Sequence, residues 1–366
     1  MFATERLNGQ PVDADYARRR MEWEPIYEIT QIKGDGEAHP FLSPNDEFAD
    51  YGTWDKADVV GFRPKTNEML PYEYGRSALQ VGLQLEAELG VNPFKFGVIG
   101  SSDSHTSLAS TRDDNYWGKS PRGEAAADRY THKVLGAEPE LSTYESDTIA
   151  SGLAAVWARN NTREDLFDAM ENKETYATTG TRIVVRFFGG WDYQSDDVYQ
   201  SNMADIGYAK GVPMGGDMPQ KPKKAKAPVF MVSAMRDPNA GNLDRVQIIK
   251  GWMDKKGRRQ ERIFDVAVSD GRKINSNGRC TTPVGDTVDV ANASYSNSIG
   301  DSELRAVWTD PEFDPALSAV YYARVLEIPT PTWQAHDEKY YGMKMTADVP
   351  RKHQERAYTS PIWYAP

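Results

Sequence analysis

The sequence predicts an α/β half through residue 180 and a β-rich half from 181 to 366. Three observations carry this. Residues 72–90 have the apolar spacing of an amphipathic helix and lead into a short apolar strand at 94–100. Helix followed by strand is the alternation of a parallel sheet or barrel. After Gly180 the texture changes to strand-like runs separated by turn residues, the pattern of an antiparallel sandwich. Finally, 366 residues, 39% hydrophobic and 27% charged, suffice for two cores, at roughly 100–200 residues per domain.

The elements follow in order. The first twenty residues turn charged at once (Asp13, Asp15, Arg18, Arg19, Arg20), with no basic-then-apolar leader, and read as the interior of a longer chain. Residues 24–33 alternate: Ile26, Glu28, Thr30 and Ile32 share one side of a strand, Tyr27, Ile29, Gln31 and Lys33 the other. A polar loop follows to about residue 68, rich in aromatics and carboxylates such as Asp46, Phe48, Tyr51, Trp54 and Asp55. Loops of that length are functional or tightly packed. In helix 72–90, Leu79, Leu83 and Leu89, with Ala78, Leu85 and Ala87, put apolar groups on a broad face; Gly90 stops it and Pro93 prevents continuation. Further helices are expected at 148–159 and 163–173, the latter capped by Thr162. Strands are expected at 183–188, 229–234, 246–252 and 319–326, with turns at 215–217, 237–239 and 256–257.

Composition excludes several classes. The 54 acidic residues outweigh 43 basic ones, for a formal charge of -11, which disfavours capture of nucleic acid. The basic run at 221–226 has no interleaved aromatics and reads as a solvated loop. A single cysteine, Cys280, rules out a disulfide framework, a four-cysteine zinc site and an iron–sulfur cluster. No apolar stretch approaches the ~20 residues of a membrane-crossing helix, so no membrane partner is expected.

The segment 97–105 is the most informative for chemistry. A buried strand ends, and Asp103 and His105 follow two residues apart. On an extended backbone both project to the same side. An imidazole and a carboxylate converging at a strand's carboxyl end make divalent-metal ligands. The bland alternative is a Ser/Asp turn with a hydrogen-bonded histidine. No G-x-S-x-G is present, which weakens a serine-hydrolase reading, although Ser101 or Ser102 with a distant histidine stays open. Glu37 and His39, near Lys33, either complete a metal site or cap their loop. His132 lies in a charged stretch after Arg129 and Tyr130, and His336 and His353 fall in polar late segments and read as surface residues. Residues 113–119 read as solvated loop charge or as a lid.

The run Gly100-Ser101-Ser102-Asp103-Ser104-His105-Thr106 resembles the last metal motif of the PHP (polymerase and histidinol phosphatase) superfamily. Residues 166–180 resemble the helix and closing strand that end many PHP domains. The phrases 31–34, 39–40, 42–48 and 357–364 resemble a bacterial PHP-like domain of unknown function, and this likeness covers nearly the whole chain, as the C-terminal part of such a protein.

The resemblance implies a distorted β/α barrel over 1–180 that lacks its first strands, followed by the sandwich-like domain over 181–366. It implies a metal-dependent hydrolase of phosphoester or related ester bonds in a small molecule. Asp103 and His105 would hold zinc or manganese. His39 with Glu37 would supply a further ligand or general base, and Lys33 would steady an oxyanion. No H-x-H pair occurs among the five histidines, so that metal set is expected to be incomplete here. An open barrel edge would favour a homo-oligomer. The rival readings are a non-catalytic remnant serving as a binding or assembly module, and a metal-independent serine esterase.

Overall fold

The computed structural model describes residues 1–58, 60–108 and 110–366. Its backbone is organised by antiparallel ladders. A seven-stranded sheet runs in the order Arg259–Val268, Leu243–Met253, Ala319–Glu327, Arg356–Thr359, Thr175–Thr178, Leu153–Val156, with Ile362–Tyr364 also paired to Ala319–Glu327. A four-stranded sheet runs Glu303–Thr309, Val229–Met235, Val184–Gly190, Gly211–Pro213.

The two sheets share one core. Val185 and Phe187, Phe230 and Val232, Val246 and Ile248, and Tyr321, Ala323 and Val325 all enter it. Each pair is spaced by two, as expected of strands that turn alternate side chains inward. The opposite face of the large sheet presents Ile249, Ile263, Val320, Tyr322 and Tyr358 to a second core. Helix Gly75–Leu89 covers that face through Ala78, Leu79, Val81, Leu83 and Leu85, joined by Tyr27, Ile29 and Val98 from a small three-stranded sheet. The central strand Ala319–Glu327 is therefore buried along its whole length, which is why its sequence is apolar or internally paired throughout.

This architecture corrects the barrel expected from the PHP resemblance. Helices take 20% of the chain and strands 27%, in several separate sheets, and none of them closes into a barrel among the described residues. A β/α barrel needs successive parallel strands. Here Ile26–Gln31 and Gly97–Gly100 form a parallel pair, but Thr175–Thr178, expected to close the barrel, pairs antiparallel on both sides. The large sheet takes strands from both sides of residue 180.

Locally, helix Gly75–Leu89 ends where Gly90 adopts a left-handed φ of 71°, a conformation that costs glycine little. Helix Arg163–Glu171 begins where Thr162 Oγ1 accepts from the Asp165 N–H at 3.2 Å. Residues 148–159 are not a helix. Leu153–Val156 is a strand at the sheet's end, and Gly152 lies so close to it that an added Cβ would sit 2.7 Å from Thr178 O. Helices Ala14–Trp23, Met203–Lys210 and Trp333–Tyr341 were not foreseen. The first buries only Ala17, so its apolar period is faint. No helix among the described residues is long and apolar enough to cross a membrane.

Candidate metal centre

His353 and Glu355 lie two residues apart in the segment that enters strand Arg356–Thr359. Asp113 arrives from a distant loop, at the start of the short turn Asp113–Asn115. That turn docks on helix Trp333–Tyr341, whose first N–H, from Trp333, donates to Asp113 Oδ1 at 2.7 Å. The three side chains then converge. His353 Nε2 is 3.1 Å from Asp113 Oδ2 and 3.0 Å from Glu355 Oε1.

The far oxygen of each carboxylate is already engaged. Asp113 Oδ1 is held by Trp333, and Glu355 Oε2 accepts from the Tyr51 hydroxyl at 3.3 Å and from the Thr179 hydroxyl. One donor atom from each of the three residues therefore points inward, all within 4.8 Å of one another. Outer hydrogen bonds that orient ligands in this way are the usual support of a metal site. Three protein ligands with an open position suit a catalytic ion, and the mixed nitrogen–oxygen set suits zinc or manganese.

The two carboxylates favour a positive charge between them, which the protonated His353 ring itself supplies and which a metal ion would have to replace. Burial pushes the His353 imidazole down, but the Asp113 and Glu355 charges push it up more, to about 10. Burial raises the Glu355 carboxyl. Two hollows of about 610 Å³ each flank the triad. One is lined by Asp113, Glu355, Glu327, Asp237 and Arg182, the other by Asp113, His353, Tyr51 and Arg356. Asp113 lines both, so the centre forms part of the wall between them. The surface placement expected for His353 is corrected: its side chain is only 10% exposed.

The residues singled out from the sequence fall into three places. Asp103 and His105 do meet, with His105 Nε2 3.1 Å from Asp103 Oδ1. Their approach depends on a left-handed turn, Asp103 having φ 47°, rather than on an extended strand. Lys33 and Lys119 place their ammonium groups 2.6 and 2.7 Å from Asp103 Oδ2. Burial opposes ionisation of Asp103, but the two lysines hold its carboxyl down at about 2. Two fixed cations thus already balance this carboxylate, and Lys119 Nζ also stands 3.1 Å from His105 Nε2.

Glu37 goes into the core. Its Oε1 accepts from Arg76 Nε at 3.0 Å and from the Tyr322 hydroxyl, and its Oε2 from Arg324 Nη1 at 3.0 Å. His39 turns elsewhere: Nδ1 accepts from the Phe41 N–H at 3.0 Å, which leaves Nε2 to donate to Asp55 Oδ2 at 3.1 Å. The structure therefore groups Lys33 with Asp103 and His105, and gives Glu37 and His39 separate partners.

Sequence reasoning missed Asp113, His353 and Glu355. The His-x-Glu spacing at 353–355 was the available signal, but the third residue lies 240 positions away.

The fold and site define a β-rich protein with a two-carboxylate, one-histidine cluster between two clefts. The chain belongs to the family described as Protein of unknown function (DUF3604), whose model matches residues 1–366. That assignment, with the absence of a barrel among the described residues, replaces the PHP resemblance. No curated protein and no solved structure matches the chain.

Proposed function

We propose that this protein is a divalent-metal-dependent hydrolase of ester or phosphoester bonds in a small molecule, with Asp113, His353 and Glu355 as its metal ligands. The observation that carries the reading is the convergence of Asp113 Oδ2, His353 Nε2 and Glu355 Oε1 while the opposite carboxylate oxygens are held by Trp333, Tyr51 and Thr179. Held outer oxygens and converging inner donors support this reading over a chance cluster of charges.

A bound zinc or manganese ion supplies a Lewis acid for the substrate oxygen and a water of lowered pKa. The chain's own residues do the rest. Asp113, His353 and Glu355 fix the reacting position at the cleft wall. The cleft, at about 610 Å³, fits a small molecule. Arg182, exposed and lining the same cleft, offers a guanidinium to an anionic substrate. In the hydrolysis the water oxygen bonds to the carbonyl carbon or phosphorus, the bond to the ester oxygen breaks, and the proton given up by the attacking water ends on the leaving alkoxide.

The test is hydrolysis of p-nitrophenyl acetate and p-nitrophenyl phosphate by chelator-treated protein before and after manganese or zinc is restored. Metal-dependent turnover that disappears in His353→Ala supports the reading. Turnover that persists in chelator, or in His353→Ala, contradicts it. A protein whose His353→Ala variant changes only its melting temperature has an ion triad that serves the fold.

A further inference from the structure

We infer that the first cleft holds a second divalent cation, bound by Glu327 and Thr181 beside Glu355. The inference rests on the metal-centre reading and extends it from one ion to two.

Glu327 ends the central strand Ala319–Glu327 and is 0% exposed. It nevertheless lines the cleft, where the Thr181 hydroxyl and the Gly241 N–H lie beside its carboxylate but make no close, well-aligned hydrogen bond to it. This sets it apart from three other buried carboxylates. Glu37 and Asp46 are each held by arginines, and Asp310 by Lys250 at 2.6 Å. Burying a carboxylate without a counter-charge is strongly unfavourable. Among the described residues no lysine or arginine pairs with Glu327; its carboxyl is left either protonated, as burial favours, or balanced by a cation from the cleft.

The neighbours fit an ion. Thr181 lines the same cleft, and its hydroxyl lies beside the Glu327 carboxylate. Gly241 permits a close approach of backbone, since a Cβ there would lie 3.1 Å from Glu327 Oε2. The Glu327 N–H donates to the Glu355 carbonyl at 2.8 Å, which sets the two glutamates on neighbouring segments. Asp237 adds negative charge to the cleft, but its two oxygens already accept from the Asn239 and Arg182 N–H groups. Glu327 and Thr181 offer oxygen donors only, while Glu355, whose Oε1 serves the triad and whose Oε2 accepts from Tyr51 and Thr179, adds negative charge beside them. Such a set selects a hard cation, Mg²⁺ or Mn²⁺, with water completing the shell. The His353 triad, with its nitrogen donor, also accepts zinc.

The test is metal counting by equilibrium dialysis of the chelator-treated full chain against Mn²⁺ alone. Wild type is expected to bind two ions per chain, Glu327→Gln one, and His353→Ala one. Thr181→Val is a second probe, expected to weaken one of the two binding events and spare the other. Melting in chelator checks that each variant is folded. Wild type binding a single ion that is lost in His353→Ala and kept in Glu327→Gln overturns the second site and leaves the triad standing. A single ion lost in Glu327→Gln but kept in His353→Ala overturns the triad as a ligand set. No bound manganese overturns both.

Discussion

His353 Nε2 stands 3.0 Å from Glu355 Oε1, and the other oxygen of Glu355 is claimed by the Thr179 and Tyr51 hydroxyls. One glutamate thus has a fixed outer side and a working inner side. Thr179 belongs to the turn after strand Thr175–Thr178, so the sheet itself orients the ligand. Thr179→Val removes the hydroxyl and leaves the volume. We expect metal affinity at the triad to fall roughly 10–100-fold, the usual cost of losing an outer hydrogen bond. Titration calorimetry measures this, and an unchanged affinity contradicts the assigned role.

The pair Asp103–His105 separates two metal assignments. Lys33 and Lys119 already neutralise Asp103. We expect His105→Ala to keep its metal content and its metal-dependent activity, because the ligands are elsewhere. Loss of bound metal in His105→Ala, measured by elemental analysis, would move the centre back to that pair.

Glu37 is expected to act on stability. With Asp46 it balances Arg76 and Arg324 in a site closed to solvent. Arg324→Met leaves two buried carboxylates short of one partner, and breaking such a pair costs about 3–5 kcal/mol. Chemical denaturation checks this; a loss below about 1 kcal/mol would show the network to be slack. Burial raises the Glu37 and Asp46 carboxyls, but the arginine charges outweigh it and hold both down. Their contribution is therefore present above the ordinary carboxylate range and is lost as pH falls below it.

Asp35 has the opposite sign. Burial pushes its carboxyl up to about 7; the Glu37 charge adds to this, while Arg356 and the hydroxyls of Tyr358 and Thr30 oppose it. Its ordinary value is 3.8, so between the two values the folded protein holds a proton that the unfolded chain releases. Stability from this group falls as pH rises through that window. Asp35→Asn stays neutral throughout. Its melting temperature is expected to gain on wild type between pH 5 and pH 8, and a constant difference across that range contradicts the assignment.

The legible part of the fold was local. Helix Gly75–Leu89 and its Gly90 stop follow from apolar spacing and a left-handed cap, both carried by a few neighbouring residues. The same holds for the Thr162 cap and for the strands expected at 229–234, 246–252 and 319–326, which the structure extends to 229–235, 243–253 and 319–327. Residues 153–156 misled because Leu, Ala, Ala and Val suit either structure; pairing with Thr175–Thr178 decides it. The barrel misled because a helix followed by a strand at 163–178 does not say whether that strand's partners are parallel. Asp103 and His105 were legible as neighbours, but not the two lysines that flank them, one of which is 14 positions from His105. The triad was least legible, since a loop aspartate at 113 meets 353 and 355 only after the C-terminal strands join the sheet.

The most direct test of the metal centre is X-ray absorption at the zinc edge of zinc-loaded protein. The account predicts one imidazole nitrogen at about 2.0–2.1 Å, with oxygen donors completing the shell. That imidazole signal is expected to vanish in His353→Ala and to remain in His105→Ala. A spectrum with no imidazole in wild type, or one unchanged in His353→Ala, contradicts it.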